Sequence, residues 1–333
     1  MKKSYRIHLN RWLLPGLMAL TSSSCLNKET AVPLPPHLPG AAVVATVNME
    51  SDYRYQVFYN LTTNSVVSSN EFTAWDLGFE TSADGWHVVM NTARFMKVYP
   101  VAKADFSAVN ATDTVGVPAA IDAPSGNLDS TAFNDWKTGK VYVIGRGYNA
   151  TGQDQGMAKV KILGVTDTSY QVQWALLDGS GREQTIVVLK DDRYNLSFLS
   201  FDNGGKTPVI EPPKKDWDVV FTKYTHIYKE LDNMPYSVVG CVLNRYQTTG
   251  ASDTTQKVFD NVVIEDALAA GWSKDINIIG FEWKTYTGTT YTVDTTRKYF
   301  VRNAAGAYFK MRFIGFLNKS GAKGNPAWQC QQL

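Results

Sequence analysis

Histidine, the side chain best suited to bind a metal or move a proton at neutral pH, is scarce in this sequence. Only four histidines are present. His8 and His37 fall within the first 41 residues, so His87 and His226 are the two that belong to the rest of the chain. His87 lies near the end of a predicted turn, where a solvated side chain is the default expectation. His226 is therefore the imidazole with the more informative surroundings.

The segment from Trp217 to Tyr228 alternates as a β-strand does. This alternation predicts Tyr224, His226 and Tyr228 on one face, opposite Trp217 and Phe221. One imidazole between two phenols could hold a flat, metal-bearing ligand such as haem, with the imidazole as axial ligand and the rings beside the macrocycle. The alternative is a solvent-exposed Tyr/His face that binds nothing.

Motifs of catalysis are missing from the sequence. There is no Gly-x-Ser-x-Gly elbow, no His-Glu-x-x-His pair and no phosphate-binding loop. Two Trp-Asp pairs supply Asp76 and Asp218, but neither has a second carboxylate in a comparable setting, as glycoside hydrolysis requires. We expect both aspartates to accept backbone hydrogen bonds. No Cys-x-x-Cys pair occurs, so no metal site is predicted, and the protein is expected not to be an enzyme.

The first 25 residues have the three parts of an export signal. A basic segment ends at Arg11, an apolar stretch covers 12–20, and small residues at 21–24 precede Cys25. The apolar stretch is much shorter than the roughly 20 residues that span a bilayer. We therefore expect Cys25 to be the lipidated first residue of the mature chain and the lipid to be its only membrane anchor. An ordinary secretory signal with an incidental cysteine is the alternative.

Processing at Cys25 changes both the charge and the cysteine content. The signal contains four basic residues and no acidic one, so 29 basic residues remain against 31 acidic ones. A nearly neutral chain has no basic stripe for nucleic acid. Two cysteines remain, Cys241 and Cys330. An exported protein allows a disulfide between them, and two buried free thiols are the alternative.

The body after a Pro-rich tether at 26–41 contains an internal repeat. Three segments recur in the same order: Ala74–Phe79 as Asp216–Phe221, Lys159–Val165 as Lys310–Phe316, and Tyr170–Gln173 as Trp328–Gln331. We therefore predict two homologous units, at 42–185 and 186–333. Whether they form one domain or two is left open.

Each unit is predicted to be antiparallel β. Thr and aromatic residues are abundant, and period-two alternation is frequent. Only Val263–Ala270 has a helical pattern. The expected fold is mostly β, with two sandwich-like units and few short helices.

The second unit resembles the HmuY-like family of Bacteroidota haem-binding surface lipoproteins, and the first unit resembles it more weakly. The resemblance is carried by the lipoprotein start, by the Trp-Asp strand and by three segments: Trp283–Tyr286, Tyr291–Val293 and Tyr299–Arg302. It implies an all-β fold and an outer-membrane lipoprotein, on the periplasmic or the cell-surface face. It also implies that haem is captured and passed to an outer-membrane receptor.

Iron ligands in this family are a pair of His or Met side chains. Tyr291 stands where the resemblance places the family's hairpin histidine, and it is a second candidate ligand beside His226. The competing hypothesis is a structural or adhesive surface protein that binds glycan or a partner protein and has lost the haem site.

Overall fold

A computed structural model describes residues 39–179 and 182–333. The predicted signal, Cys25 and residues 26–38 of the tether lie outside the described residues. The strands are β1 (Val43–Thr46), β2 (Tyr55–Asn60), β3 (Ser65–Glu71), β4 (Leu77–Glu80), β5 (Val88–Met90), β6 (Lys97–Val101), β7 (Val141–Gly145), β8 (Met157–Val165), β9 (Ser169–Leu176), β10 (Gln184–Leu189), β11 (Leu196–Leu199), β12 (Val219–Tyr228), β13 (Met234–Leu243), β14 (Thr249–Ser252), β15 (Lys284–Tyr286), β16 (Tyr291–Val293), β17 (Lys298–Arg302), β18 (Tyr308–Leu317) and β19 (Lys323–Gln332).

The described residues contain one α-helix, α1 (Ile264–Leu268), which confirms the helix predicted in that segment. The remaining helical turns are short 3₁₀ segments. The mostly-β prediction is therefore confirmed. No helix of the described residues has the length and apolar character needed to cross a membrane.

The strands form two similar sets of antiparallel sheets. In the first set, β10-β9-β8-β7-β6 is a five-stranded sheet beside the three-stranded β11-β4-β5. In the second set, β1-β19-β18-β17-β14 is a five-stranded sheet beside β13-β12-β2-β3. The hairpin β15-β16 is separate. All described residues belong to one compact unit.

Strand pairing crosses the predicted boundary at residue 185. The early strand β1 pairs with β19, and β2 pairs with β12. In the opposite direction, β11 pairs with β4. Each Trp-Asp strand thus takes its neighbour from the other half of the chain. The duplication itself stays a prediction, but the two halves do not form separate sheets.

The two Trp-Asp strands make the same contacts. Asp76 accepts the backbone N–H of Phe201 at 2.8 Å, and Asp218 accepts that of Leu61 at 2.7 Å. Both carboxylates are buried, and the prediction that they accept backbone hydrogen bonds is confirmed. Each aspartate is also bonded to an asparagine later in the chain. The backbone N–H of Asn91 donates to the backbone carbonyl of Asp76, and the backbone N–H of Asn244 donates to that of Asp218.

A second pair of equivalent contacts lies in β8 and β18. Lys159 donates to the carbonyl of Phe106 at 2.8 Å and lies over its ring, 4.6 Å from the centroid. Lys310 does the same with Phe259, at 2.7 Å and 4.7 Å. These contacts support the predicted duplication.

The core is divided among several clusters. Leu77 and Phe79 pack in one cluster, and Val219 and Phe221 pack in another. The face predicted for Trp217 is wrong: it packs with Val220 and Tyr224 instead of with Phe221. The reason is that Trp217 precedes the first residue of β12, so the alternation of the strand does not extend to it.

Cys241 and Cys330 are both free and buried, so the disulfide considered from the sequence is not formed. They lie in the same apolar cluster. Burial raises the pKa of each thiol, which keeps it neutral at physiological pH.

Candidate functional site

The outer part of the β12-β13 hairpin carries His226. β2 pairs only with Val219–Phe221 of β12, whereas β13 pairs with β12 along its whole length. The hairpin therefore extends beyond the sheet edge. Its tip contains Asp232 and Asn233, both with left-handed backbone conformations that Asp and Asn tolerate better than most residues.

The imidazole of His226 lies among aromatic rings. The ring of Tyr228 is 4.7 Å away and that of Phe281 is 5.0 Å away, both edge-on. Tyr236 is the cross-strand partner of His226, and its ring lies 6.0 Å from that of Tyr228. These four residues are called the His226 patch below.

The Nδ1 atom of His226 is buried and has no hydrogen-bond partner among the described residues. A buried ring nitrogen is usually bonded, because leaving it unpaired costs free energy. The imidazole is therefore not committed to a structural partner. Because Nδ1 is closed to solvent, Nε2 is the ring nitrogen that remains for an incoming metal, with the proton of the neutral ring on Nδ1.

Tyr224 lies beneath the patch and is buried. Burial raises its pKa, so the phenol is neutral. It packs in the same cluster as Phe281, which links it to His226 and Tyr228 on one face, as predicted.

A cleft of about 270 Å³ lies beside the patch. Its lining includes Tyr224, His226 and Phe281. Arg297 also lines it, and its Nη1 donates to Oε2 of Glu282 at 2.8 Å. The cleft thus combines aromatic walls with one partnered ion pair.

Tyr291 is not part of this cleft. It lies on β16, with its ring 4.9 Å from that of Phe316 and 5.1 Å from that of Tyr286. The structure therefore brings together three of the four haem-binding candidates identified from the sequence, His226, Tyr224 and Tyr228, and places Tyr291 in a different aromatic cluster.

His87 has both ring nitrogens engaged. Nδ1 lies 2.5 Å from Oε2 of Glu80, and Nε2 lies 3.2 Å from Oδ1 of Asp129. Burial acts to raise the pKa of Glu80, but the hydrogen bonds from His87 outweigh it and the pKa is lowered. The expectation of a solvated His87 is wrong, because two carboxylates hold the ring.

Sequence reasoning missed Phe281 and Tyr236. The polar Asp232-Asn233 pair is a turn signal that could have indicated a hairpin returning Tyr236 toward His226. No comparable signal exists for Phe281, because it arrives from a segment 55 positions away along the chain and its place depends on tertiary packing.

Comparison with known proteins gives one family and several weak structural likenesses. The family model "HmuY protein" matches residues 52–330, across both halves of the chain. No curated protein matches. Among solved structures, the apo HmuY analog of Tannerella forsythia is 9% identical, with a TM-score of 0.24, and covers 89% of this chain and 98% of its own.

Two further solved structures are similar at the same level. Apo PinO from Porphyromonas gingivitis is 10% identical, with a TM-score of 0.25, and covers 88% of this chain and 97% of its own. A putative HmuY-like heme binding protein from Bacteroides vulgatus is 13% identical, with a TM-score of 0.18, and covers 88% and 97%. These scores are too low to support an argument, so the assignment rests on the family model. Because that model spans most of the sequence, the chain belongs to the HmuY protein family.

Proposed function

We propose that this protein is a non-enzymatic, lipid-anchored binding protein of the outer membrane and that its ligand is haem. Membership of the HmuY family supports this proposal, because members of that family bind haem. The observation in the structure that carries it is the imidazole of His226, which has no hydrogen-bond partner at Nδ1 among the described residues and lies in a half-buried aromatic patch.

The residues of the His226 patch fit a porphyrin. The macrocycle is flat and largely apolar, so it would lie against the rings of Tyr228, Tyr236 and Phe281. Tyr236 is 54% exposed, which leaves its ring available for contact with a ligand. His226 would coordinate the iron, since imidazole is a common axial ligand of haem. The buried, neutral Tyr224 would support the patch from below.

Tyr291 is the alternative iron ligand. A tyrosine can coordinate ferric haem. Tyr291 is half-buried against Phe316, and His226 is half-buried as well, so exposure does not separate the two candidates. Imidazole is the more common axial ligand of haem. We therefore place His226 first.

Haem titration of the mature protein tests the proposal. We expect a Soret band that shifts or is lost in His226→Ala and is unchanged in Tyr291→Phe. His87→Ala is the matched control, because His87 is the other histidine of the described body and its nitrogens are already bonded. A Soret band that changes only in Tyr291→Phe would identify Tyr291, on β16, as the iron ligand in place of His226. Absence of a band at micromolar haem would contradict haem binding.

The exposed rings also suit a second candidate function, adhesion to glycan or to a partner protein. Tyr236 and Tyr286 are 54% and 58% exposed, and such rings can stack on sugar rings. The absence of a Soret band together with glycan binding that Tyr236→Ala abolishes would favour this function over haem capture.

Transfer of haem to an outer-membrane receptor is part of the proposal. It predicts that the protein, loaded with haem, supports growth of the parent bacterium on haem only when a receptor is present. Growth that persists after deletion of the receptor gene would contradict this step.

A further inference from the structure

A groove of about 510 Å³ lies at the edge of the first five-stranded sheet, where β6, β7 and β8 meet. Its lining includes three aromatic rings, those of Phe95, Tyr99 and Tyr148. It shares no lining residue with the cleft beside the His226 patch. Small-molecule sites in proteins have volumes of about 300–1,000 Å³, so the groove is large enough to hold a ligand.

Phe95 has a backbone conformation that phenylalanine rarely adopts. Its φ is 62° and its ψ is 39°, in the left-handed region, where a bulky side chain costs free energy. The equivalent turn of the other set also has a left-handed residue, but there it is the polar Gln247, with φ 50°. Each of the two lies two residues before an edge strand, β6 or β14. The turn itself therefore does not require an aromatic side chain.

Packing does not explain the ring of Phe95 either. Among the described residues, it belongs to none of the hydrophobic clusters, although it is half-buried. A strained residue that persists without a packing role is typical of a functional site. The place of its ring, in the lining of the groove, indicates what that role is.

The backbone holds Tyr148 beside this turn. The N–H of Tyr148 donates to the carbonyl of Arg94 at 2.9 Å. Gly147 permits the close approach, because a Cβ atom at this position would lie 1.9 Å from the same carbonyl oxygen. Tyr148 is 43% exposed, and it too belongs to none of the clusters of the described core. Two rings without a packing role are thus fixed next to each other by the backbone.

The floor of the groove is bare backbone with one charged group of each sign nearby. A Cβ atom added to Gly145 would meet only the carbonyl oxygen of Lys97, at 3.9 Å, so packing does not demand a glycine there. Glycine inside a strand can mark the close approach of a ligand. Nζ of Lys97 lies 5.6 Å from the ring centroid of Phe95, and Asp154 uses only one carboxylate oxygen, Oδ1, to accept a backbone N–H at 2.7 Å. Hydrogen-bond donors and an acceptor therefore stand beside the rings.

These features fit a saccharide. The apolar C–H face of a sugar ring packs against aromatic rings, and its hydroxyl groups can both donate and accept hydrogen bonds. A peptide strand fits less well, because the outer edge of β6 is already bonded through Val98 to Ala120. We infer that this groove binds a saccharide, that Phe95 and Tyr148 stack on its rings, and that Phe95 keeps its strained conformation for this contact.

Saturation-transfer difference NMR of the mature protein, titrated with cellotetraose, maltotetraose and chitotetraose, tests the proposal. We expect at least one of them to bind at millimolar concentration or below, with the strongest transfer to ring C–H protons. Tyr148→Ala removes an exposed ring and should weaken this binding about fivefold or more. Phe95→Asn should weaken it similarly. Because asparagine tolerates the left-handed region better, this variant should melt no lower than the parent protein.

Gln247→Asn is the matched control for the backbone. It changes the equivalent left-handed residue outside the groove and should leave the affinity unchanged. Tyr236→Ala removes an exposed ring of the His226 patch and should also leave it unchanged. Haem titration of Tyr148→Ala should match that of the parent protein, so failure at this groove and failure of haem binding are distinguishable. Tyr148→Ala decides the question even if Phe95→Asn does not fold.

Three results would overturn the proposal: no binding of any of the three saccharides, binding that Tyr148→Ala leaves unchanged, or binding that Tyr236→Ala abolishes. A Phe95→Asn protein that binds as tightly as the parent, or that melts at a lower temperature, would overturn the role assigned to Phe95.

Discussion

Asp76 and Asp218 hold equivalent positions, and each accepts a backbone N–H from the half of the chain to which it does not belong. They differ in charge partners. Asp76 also accepts hydrogen bonds from Arg94 and Arg146, both at 2.9 Å, whereas Asp218 has no ion pair at this distance among the described residues. The same position thus has two different electrostatic roles.

This difference predicts unequal losses of stability. Asp76→Asn leaves the buried guanidinium of Arg94 without a carboxylate and that of Arg146 with Asp202 alone, which should lower the free energy of unfolding by about 3–5 kcal/mol. Asp218→Asn weakens hydrogen bonds without leaving a buried cation, so a loss of about 1–3 kcal/mol is expected. Urea unfolding at neutral pH measures both, and equal losses would contradict this account of Asp76.

The exchange of strands between halves predicts that neither half folds alone. A fragment of residues 42–185 lacks β11, leaves β1 without β19 and leaves β2 paired with β3 alone, without β12. The fragment 186–333 lacks β1 and β2. Each should show no cooperative thermal transition by circular dichroism, and mixing the two should restore one. A cooperative transition in either fragment by itself would show that the halves are independent domains.

The sequence could suggest a repeat but could not indicate the exchange of strands between the halves. The strands before the two Trp-Asp pairs are alike in character, so their patterns do not say which copy pairs with which. Strand pairing across about 160 residues depends on packing of the whole body. The same limit applies at His226, where alternation placed Tyr224 and Tyr228 correctly and gave no indication of Phe281.

Two buried acids give the protein a pH dependence. Burial raises the pKa of Glu211 to about 7 and that of Asp122 to about 6. Between about pH 4.5 and 7, folded Glu211 keeps a proton that the unfolded chain has lost. The folded state binds more protons over this range, so stability falls as the pH rises through it and is level above it.

Comparison with Glu211→Gln isolates this contribution. The amide does not titrate, so the stability of the parent protein relative to the variant should fall by up to about 3 kcal/mol between pH 4 and pH 8. Urea unfolding at several pH values measures the difference. The matched variant Asp122→Asn should show the same trend at lower pH. A difference that is constant with pH would mean that Glu211 titrates normally.

Lipidation is predicted at Cys25. Cells fed an alkyne-labelled fatty acid should incorporate it into the parent protein and not into Cys25→Ser, because the thiol carries the lipid. The serine variant should also leave the membrane fraction. Label that persists in Cys25→Ser, or a mature chain that begins at another residue, would contradict the predicted anchor.

The coordination of iron by His226 is tested most directly by pulsed EPR of the ferric haem complex. The protein should carry ¹⁵N-labelled histidine, with His37→Gln and His87→Gln removing the other histidines of the mature chain. We expect ¹⁵N hyperfine couplings from an iron-bound imidazole that are lost when His226→Gln is added. Identical spectra with and without His226 would contradict its assignment as the iron ligand.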